Sequence, residues 1–408
     1  MIPLCKPDVG EREVELVTQV LRSGRLSMGP CLDEFEQRFA ARVGCRYAVA
    51  TSSGTAALHL CTVALGIGDG DEVLTTPFSF VASANCLLYE HAVPSFVDVH
   101  PATLNIDPSR ILEAIEIDYV ERGTRKELVN RDTGRVLKGI LPVHVFGLPC
   151  DMEAIRAIAE RWGLLVIEDA CEALGAAING RPVGTLGNAG AFAFYPNKQM
   201  TTGEGGMVVT NDAKIAAICR SLRNQGRDES ADWLRHERLG FNYRLSELHC
   251  ALGLAQLERL GELLAARSRV ASLYTEGLSG TLNIALPSAF YGMKRSWFAY
   301  VIQLTGPSGP YLRRSLIDGL RARGIACQAY FPPIPQQPYF ARTQLSDDRP
   351  IPIALSAGER CLALPFFASM TEVEVREVCT AVREIIDAAS AESPLVRPAM
   401  RRAARGAA

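Results

Sequence analysis

The sequence predicts an α/β fold, and two observations carry this prediction. Along the first two-thirds of the chain, short apolar runs alternate with helical patterns, which is typical of a mostly parallel sheet covered by helices on both faces. Towards the C-terminus, a strand-like segment at 297–304 and a helical segment at 310–323 predict a smaller α+β domain. With 408 residues, the chain is long enough to form two domains, each with its own core.

The large domain is predicted to contain six strands and several amphipathic helices. The predicted strands are Glu72–Thr76, Ser95–Asp98, Gly139–Val145, Leu164–Asp169, Gly190–Tyr195 and Gly206–Thr210. Val14, Val17 and Leu21 share one face of the first helix, and Phe35 and Phe39 share one face of the second. The predicted helices are 11–22, 31–43, Gly54–Leu65, 151–162 and a long one from Leu245 to about Glu276.

Two segments interrupt this pattern. The charged segment 115–138 carries a turn signal at 132–134 and predicts an exposed excursion, for which a hairpin is one possible form. The proline-rich segment 331–338 is predicted to be a loop, since proline donates no backbone hydrogen bond. We expect a large domain at 1–250, a small domain at 251–390 and a flexible tail at 391–408.

Composition excludes several classes of protein. The chain has 43 basic and 45 acidic residues, so its net charge is close to zero. This net charge gives no reason to expect nucleic acid or an acidic membrane as a partner. No apolar run reaches the roughly eighteen residues that a membrane helix needs, and the N-terminus lacks a signal-peptide layout, so we expect a cytoplasmic protein. The 12 cysteines form no CxxC pair and the 6 histidines show no metal-binding spacing. We therefore predict no metal site.

Four local patterns contain residues that could carry chemistry. The segment 51–56 places hydroxyl groups at a helix start, which suits an anion but also an ordinary helix cap. The strand at 164–169 ends in Asp169, where an acid can face a ligand or only cap the next helix. Lys198 follows another strand and could form a Schiff base, although most lysines are merely solvated. The glycine-rich turn 203–206 follows Lys198, and the segment 240–247 opens the long predicted helix.

Taken together and in order, these segments resemble the DegT/DnrJ/StrS family of sugar aminotransferases, which use pyridoxal phosphate. The resemblance extends from about Pro3 to about Ile386. It rests on the segments 52–60, 70–85, 142–152, 167–176, 194–212 and 239–257. It implies the fold of pyridoxal-phosphate transferases of fold type I, with a seven-stranded type of sheet in the large domain.

The resemblance also implies roles for individual residues. Lys198 would hold the cofactor covalently and move the proton during transamination. Asp169 would pair with the ring nitrogen and keep it protonated, so that the ring can accept an electron pair. Gly54 and Thr55 would bind the phosphate. Phe80 would stack on the ring, the alternative for this side chain being ordinary core packing.

Three further positions concern the partner subunit and departures from the family pattern. Asn242 matches a residue that reaches the phosphate from the neighbouring subunit, which implies a homodimer with shared active sites. Ala193 stands where the family usually has a phosphate-binding serine. Glu172 stands near the cofactor's ring oxygen, where the family often has Gln or His; a carboxylate there would repel a phenolate oxygen unless it is protonated or turned away.

The implied reaction transfers an amino group, with L-glutamate as the expected donor, to a nucleotide-linked ketosugar. A cyclitol ketone or an aminobenzoate-type precursor stays open as the acceptor, because the segment 327–331 and Pro335 lack histidines that relatives often carry. A non-catalytic regulator on the same fold is a further alternative, although it would have no need of Lys198, Asp169 and the phosphate loop together. A NAD-linked oxidoreductase is disfavoured, because no GxGxxG follows the first strand.

Overall fold

The computed structural model describes residues 1–124, 126–227, 235–343 and 349–392. Its helices are α1 (Glu11–Ser23), α2 (Pro30–Val43), α3 (Gly54–Ala64), α4 (Ala82–Leu88), α5 (Pro108–Asp118), α6 (Met152–Trp162), α7 (Ala213–Arg223), α8 (Glu247–Glu258), α9 (Leu260–Leu278), α10 (Gly309–Ala322), α11 (Pro338–Thr343), α12 (Pro352–Arg360) and α13 (Glu372–Glu392). Its strands are β1 (Tyr47–Thr51), β2 (Asp71–Thr75), β3 (Val93–Phe96), β4 (Tyr119–Arg122), β5 (Glu127–Asn130), β6 (Val136–Leu141), β7 (Leu165–Asp169), β8 (Ala177–Ile178), β9 (Arg181–Pro182), β10 (Ala189–Ala193), β11 (Gly206–Thr210), β12 (Ile284–Ala285), β13 (Met293–Lys294), β14 (Tyr300–Leu304) and β15 (Cys361–Leu364).

The central sheet confirms the predicted α/β class. Seven strands lie side by side in the order β1-β11-β10-β7-β6-β2-β3, and the β4–β5 hairpin extends the sheet from β6. The contacts β10–β7, β7–β6, β6–β2 and β2–β3 are parallel, whereas β11 is antiparallel to both of its neighbours. The carboxyl ends of β1, β2, β7 and β10 therefore meet at one edge, which is where open α/β sheets bind ligands.

The C-terminal part confirms the prediction of a smaller α+β region. A second sheet has the order β12-β14-β15 and is antiparallel. It shares one apolar cluster with α9, α10 and α13, which Ile2 joins from the other end of the chain. The division of the chain at residue 250 stays a prediction. Helix α13 extends to Glu392, and the rest of the predicted tail lies outside the described residues.

Two predictions about single elements were wrong. The first strand, β1, was missed, since its small residues Ala48 and Ala50 give a weak strand signal. β1 pairs with β11 along its whole length, and Ala48 and Ala50 lie in one apolar cluster with Phe35 and Phe39 of α2. The long helix predicted from Leu245 is two helices, α8 and α9, that meet at Arg259 with φ −112° and ψ 18°. The guanidinium of Arg259 donates to Glu13 Oε1 at 2.7 Å and to Asp8 Oδ1 at 2.8 Å, which fixes the corner between the helices.

Helices α1 and α2 have similar apolar spacing, but their apolar side chains are buried to different extents. Phe35 and Phe39 of α2 are fully buried, whereas Val14 and Leu21 of α1 are more than half exposed. The buried positions of α1 are Glu13 and Val20.

No helix among the described residues combines the length and the apolar character that a membrane crossing requires.

Candidate active site

A cavity of about 1120 Å³ lies at the carboxyl edge of the central sheet. Six of the residues predicted for the site line it: Gly54, Thr55, Phe80, Asp169, Glu172 and Lys198. They come from the ends of different strands or from the loops that follow them, so the topology of the sheet brings together residues that are far apart in the chain. Asn242 is exposed and lies outside the walls that its own chain gives this cavity.

Lys198 projects its amine into the cavity between an acid and an aromatic ring. Its Nζ lies 3.7 Å from Glu172 Oε1 and 4.0 Å from the centre of the Phe298 ring. The backbone N–H of Lys198 donates to the carbonyl of Tyr195 at 2.9 Å, which closes a turn after β10. The amine is therefore held by the fold at a fixed place in the cavity wall, where it can act as a nucleophile or as a base.

A buried arginine supports the Lys198 turn from behind. Arg267 of α9 donates to the carbonyl of Lys198 at 2.6 Å and to that of Phe298 at 3.2 Å. It also donates to the carbonyls of Asn197 and Trp297. Burial lowers the pKa of this guanidinium to about 10, because it is only 4% exposed. Arg267 thus ties the turn of Lys198 to the segment that carries Phe298.

Asp169 ends β7 at the floor of the cavity and is only 4% exposed. Its Oδ2 accepts a hydrogen bond from Ser83 Oγ at 2.6 Å, and its Oδ1 accepts one from the N–H of Cys171 at 3.1 Å. The backbone is also fixed, since the N–H of Asp169 donates to the carbonyl of Pro142 at 2.9 Å. A carboxylate held in this way can accept a further hydrogen bond from a ligand, because each of its oxygens has two lone pairs.

Glu172 is buried close to the Lys198 amine and the Asp169 carboxylate. Its Oε2 accepts a hydrogen bond from the N–H of Phe146 at 2.9 Å, which leaves Oε1 facing Lys198. Burial raises the pKa of Glu172, and Asp169 adds to this, while the Lys198 ammonium and the Phe146 N–H act against it; the net pKa lies above the ordinary value. The carboxyl group is therefore easier to protonate than an exposed glutamate, which would reduce repulsion of a neighbouring anion.

The start of α3 lies in the wall of the cavity and offers free backbone N–H groups that suit an anion. Ser53 caps the helix by accepting from the N–H of Ala56 at 3.1 Å, and helix geometry leaves the N–H groups of Gly54 and Thr55 without an intrahelical acceptor. Close packing here requires glycine: a Cβ on Gly54 would lie 2.6 Å from the Cβ of Ala193. A Cβ on Gly206 would lie 2.3 Å from the carbonyl oxygen of Ser53. Ala193 lines the cavity without offering a hydroxyl group.

Phe80 is 61% exposed and lines the cavity, so the alternative of core packing is not what the structure shows. Phe78, two residues earlier, is the fully buried ring. Sequence reasoning missed Ser83 and Phe298, which contact Asp169 and Lys198. The spacing of Ser79 and Ser83, one helical turn apart, is a signal that could have drawn attention to Ser83; no pattern in the sequence marks Phe298.

The residues of the cavity fit pyridoxal phosphate. Free N–H groups at a helix start suit its phosphate, Asp169 suits its protonated ring nitrogen and the Lys198 amine suits its aldehyde. The buried Oδ1 of Asn197, in the cavity wall, has no hydrogen-bond partner among the described residues and is open to a donor from a ligand. Lys198 is the only basic side chain among the described residues that line the cavity. No group of three or more potential metal ligands occurs within the described part of the chain.

Comparison with known proteins gives a family match over nearly the whole chain. The model of the DegT/DnrJ/EryC1/StrS aminotransferase family matches residues 7–383. The chain is 39% identical to the GDP-perosamine synthase of Caulobacter vibrioides over 387 residues, which cover 94% of this chain and 98% of that protein.

Two solved structures with the same fold match this chain over nearly its whole length. The DesV structure from S. venezuelae, solved in complex with a ketimine intermediate, has a TM-score of 0.82 and 32% identity, covering 94% of this chain and 98% of that one. The structure of 3-amino-5-hydroxybenzoic acid synthase has a TM-score of 0.84 and 27% identity, covering 95% of this chain and 99% of that one.

Proposed function

This chain belongs to the DegT/DnrJ/EryC1/StrS aminotransferase family and is a pyridoxal-phosphate-dependent aminotransferase, and from that premise we propose that it transfers an amino group from L-glutamate to a nucleotide-linked ketosugar. The observation that carries the proposal is the placement of the Lys198 amine and the Asp169 carboxylate in the walls of one cavity. The similarity to a GDP-perosamine synthase supports the class of acceptor.

The proposal assigns a task to each residue of the cavity. When bound, pyridoxal phosphate supplies an aldehyde that condenses with amines and a protonated ring that accepts an electron pair. Lys198 Nζ would attach the cofactor and would move one proton in each half of the reaction, away from the donor carbon in the first half and onto the acceptor carbon in the second. Asp169 accepts the hydrogen bond of the ring nitrogen, and Gly54 and Thr55 bind the phosphate.

Three residues complete the proposed cofactor site. Phe80 covers one face of the ring. Glu172 would face the ring oxygen and, when protonated, would donate a hydrogen bond to it, and its raised pKa favours the protonated form. Asn242 of the partner subunit reaches the phosphate in a homodimer. This role is supported by its exposed position and by the scarcity of basic groups in the cavity of one chain.

The charge balance and the cysteines of the chain support proposals about its partners and its location. The nearly balanced charge supports small molecules as substrates and gives no support for nucleic acid or membrane binding. We propose a cytoplasmic location. All twelve cysteines lie within the described residues and are free thiols, which suits a reducing compartment.

The test combines a lysine variant with a panel of acceptors. We expect Lys198→Ala to lower turnover with glutamate by about a thousandfold or more, because the proton carrier is lost, and to abolish the visible absorbance of the cofactor–lysine bond. Lys214→Ala, at an exposed lysine of α7, serves as the matched control and should keep full activity. An active Lys198→Ala enzyme would rule out the proposed chemistry.

The acceptor is tested separately with ketosugars linked to different nucleotides, each incubated with glutamate and analysed for 2-oxoglutarate and aminosugar by mass spectrometry. The similarity to 3-amino-5-hydroxybenzoic acid synthase favours one second candidate, an aminobenzoate-type precursor, and a cyclitol ketone is included with it. Amination of either compound, with no turnover of any nucleotide-linked sugar, would replace the proposed acceptor. A purified protein that binds no cofactor would instead favour a non-catalytic regulator.

A further inference from the structure

A pair of buried hydroxyl groups lies beside Asp169. Ser79 and Ser83 are 3% and 1% exposed, and both line the cavity. Ser83 Oγ lies 2.6 Å from Asp169 Oδ2 and 3.1 Å from Ser79 Oγ. Both hydroxyl groups are also within hydrogen-bond distance of the carbonyl of Phe80, at 3.1 Å for Ser79 and 3.2 Å for Ser83.

The direction of the hydrogen bond between Ser83 and Asp169 follows from the chemistry of the carboxylate. An ionised carboxylate only accepts hydrogen bonds, so the single hydroxyl proton of Ser83 goes to Asp169 Oδ2. The distance of 2.6 Å is within the range of hydrogen bonds from a hydroxyl group to a charged oxygen. Ser79 then donates its own proton either to Ser83 Oγ or to the carbonyl of Phe80.

Asp169 is therefore held from two sides. Ser83, on α4, bonds Oδ2, and the N–H of Cys171, just after β7, bonds Oδ1. Without the Ser83 hydroxyl, a carboxylate that is only 4% exposed would lose its strongest donor in the described structure.

We propose that Ser83 is a positioning residue for the reaction. It keeps Asp169 correctly turned, so that the carboxylate can accept the hydrogen bond of the ring nitrogen of the bound cofactor. This inference rests on the proposed function, since it assigns Ser83 to the cofactor through Asp169. Ser83 itself does not react.

The test measures binding of pyridoxamine phosphate and of its 1-deaza analogue, which lacks the ring nitrogen, to the apoenzyme by calorimetry. Neither ligand bonds covalently to Lys198, so each dissociation constant reports contacts alone. We expect Ser83→Ala to reduce the preference for pyridoxamine phosphate over the analogue by roughly tenfold, the size expected for a hydrogen bond to a charged group. Ser83→Cys, of similar size and with a weak donor, should reduce it in the same direction.

Thr62→Val is the matched control. Thr62 is fully buried, and its hydroxyl donates to the carbonyl of Leu58 at 3.1 Å within α3, away from the cavity lining. This variant should leave the preference unchanged. If Ser83→Ala and Ser83→Cys weaken both ligands by the same factor, or neither, the inference fails while the proposed function stands. If the wild-type apoenzyme binds no pyridoxamine phosphate, the proposed function fails as well.

Discussion

Two buried glutamates have pKa values that are shifted in opposite directions. Burial raises the pKa of Glu172, and its few partners do not compensate. Burial would also raise the pKa of Glu13, but hydrogen bonds from Arg259, Gln256 and the N–H of Gly10 outweigh it, so that the pKa of Glu13 lies below the ordinary value. The number of donors around each carboxylate therefore decides the sign.

These shifts predict opposite effects of pH on the stability of the apoenzyme. A raised pKa means that the folded state binds the proton of Glu172 more tightly, so the contribution of Glu172 to wild-type stability falls as the pH rises above the ordinary glutamate pKa of about 4.3. Glu172→Gln should therefore gain stability relative to wild type as the pH rises through this window. Glu13 stabilises the fold above that pKa and loses its effect as the pH falls. Glu13→Gln should therefore lose stability relative to wild type as the pH rises.

The measurement is thermal unfolding of the three apoproteins between about pH 3 and pH 7 at constant ionic strength, so that the range covers the titration of Glu13 below the ordinary glutamate pKa and that of Glu172 above it. The two variants control for each other, since both replace a buried carboxylate by an amide of the same shape. Melting temperatures of the two variants that move in parallel with pH, relative to wild type, would contradict the assigned directions.

At the level of elements, the sequence predicts what local signals determine. Helix α2 is recognisable from its apolar stripe and ends at Gly44, which adopts a left-handed conformation with φ 74°. Strand β11 was predicted with both ends correct, between a glycine turn and Asn211. The features that were missed depend on tertiary contacts: β1 is defined by its pairing with β11, and the corner at Arg259 by its bonds to Asp8 and Glu13.

The same distinction applies to the site. Lys198 and Asp169 are marked by motifs, because each follows a recognisable strand. Ser83 bonds a carboxylate 86 residues away, and Arg267 bonds a carbonyl 69 residues away. Contacts across such separations leave no periodic trace in a single sequence, so these supporting residues could be found only from the fold.

Arg267 joins helix α9, the turn of Lys198 and the segment that carries Phe298. Its loss should destabilise all three. We expect Arg267→Met to lower the free energy of unfolding by about 3 kcal/mol or more, because four carbonyl groups that are buried or partly buried would lose this donor. Arg269→Met, two residues along α9, is the control: Arg269 is exposed and donates to the carbonyl of Met370. This variant should cost less than about 1 kcal/mol. Urea denaturation measures both, and equal losses would show that Arg267 has no special role.

At the scale of the whole molecule, the proposed homodimer would complete a site that one chain builds in large part. The cavity contains the acids Asp169, Glu172 and Glu204 and, among its described lining residues, a single basic side chain. A phosphate and a nucleotide-linked substrate both carry negative charge, so further donors are needed. Asn242 is exposed on the same chain, outside this cavity. A second copy that brings Asn242 to the phosphate would supply one such donor.

Hybrid dimers of two inactive variants test whether Asn242 acts across the interface. Lys198→Ala and Asn242→Ala chains are mixed, unfolded and refolded together, with each variant refolded alone as a control. If Asn242 serves the partner's site, a hybrid has one site with both defects and one intact site. Since about half of randomly paired dimers are hybrids, the mixture should recover about a quarter of wild-type turnover. If Asn242 served its own chain, every site of a hybrid would keep one defect, and the mixture would show no more than the average of the two variants.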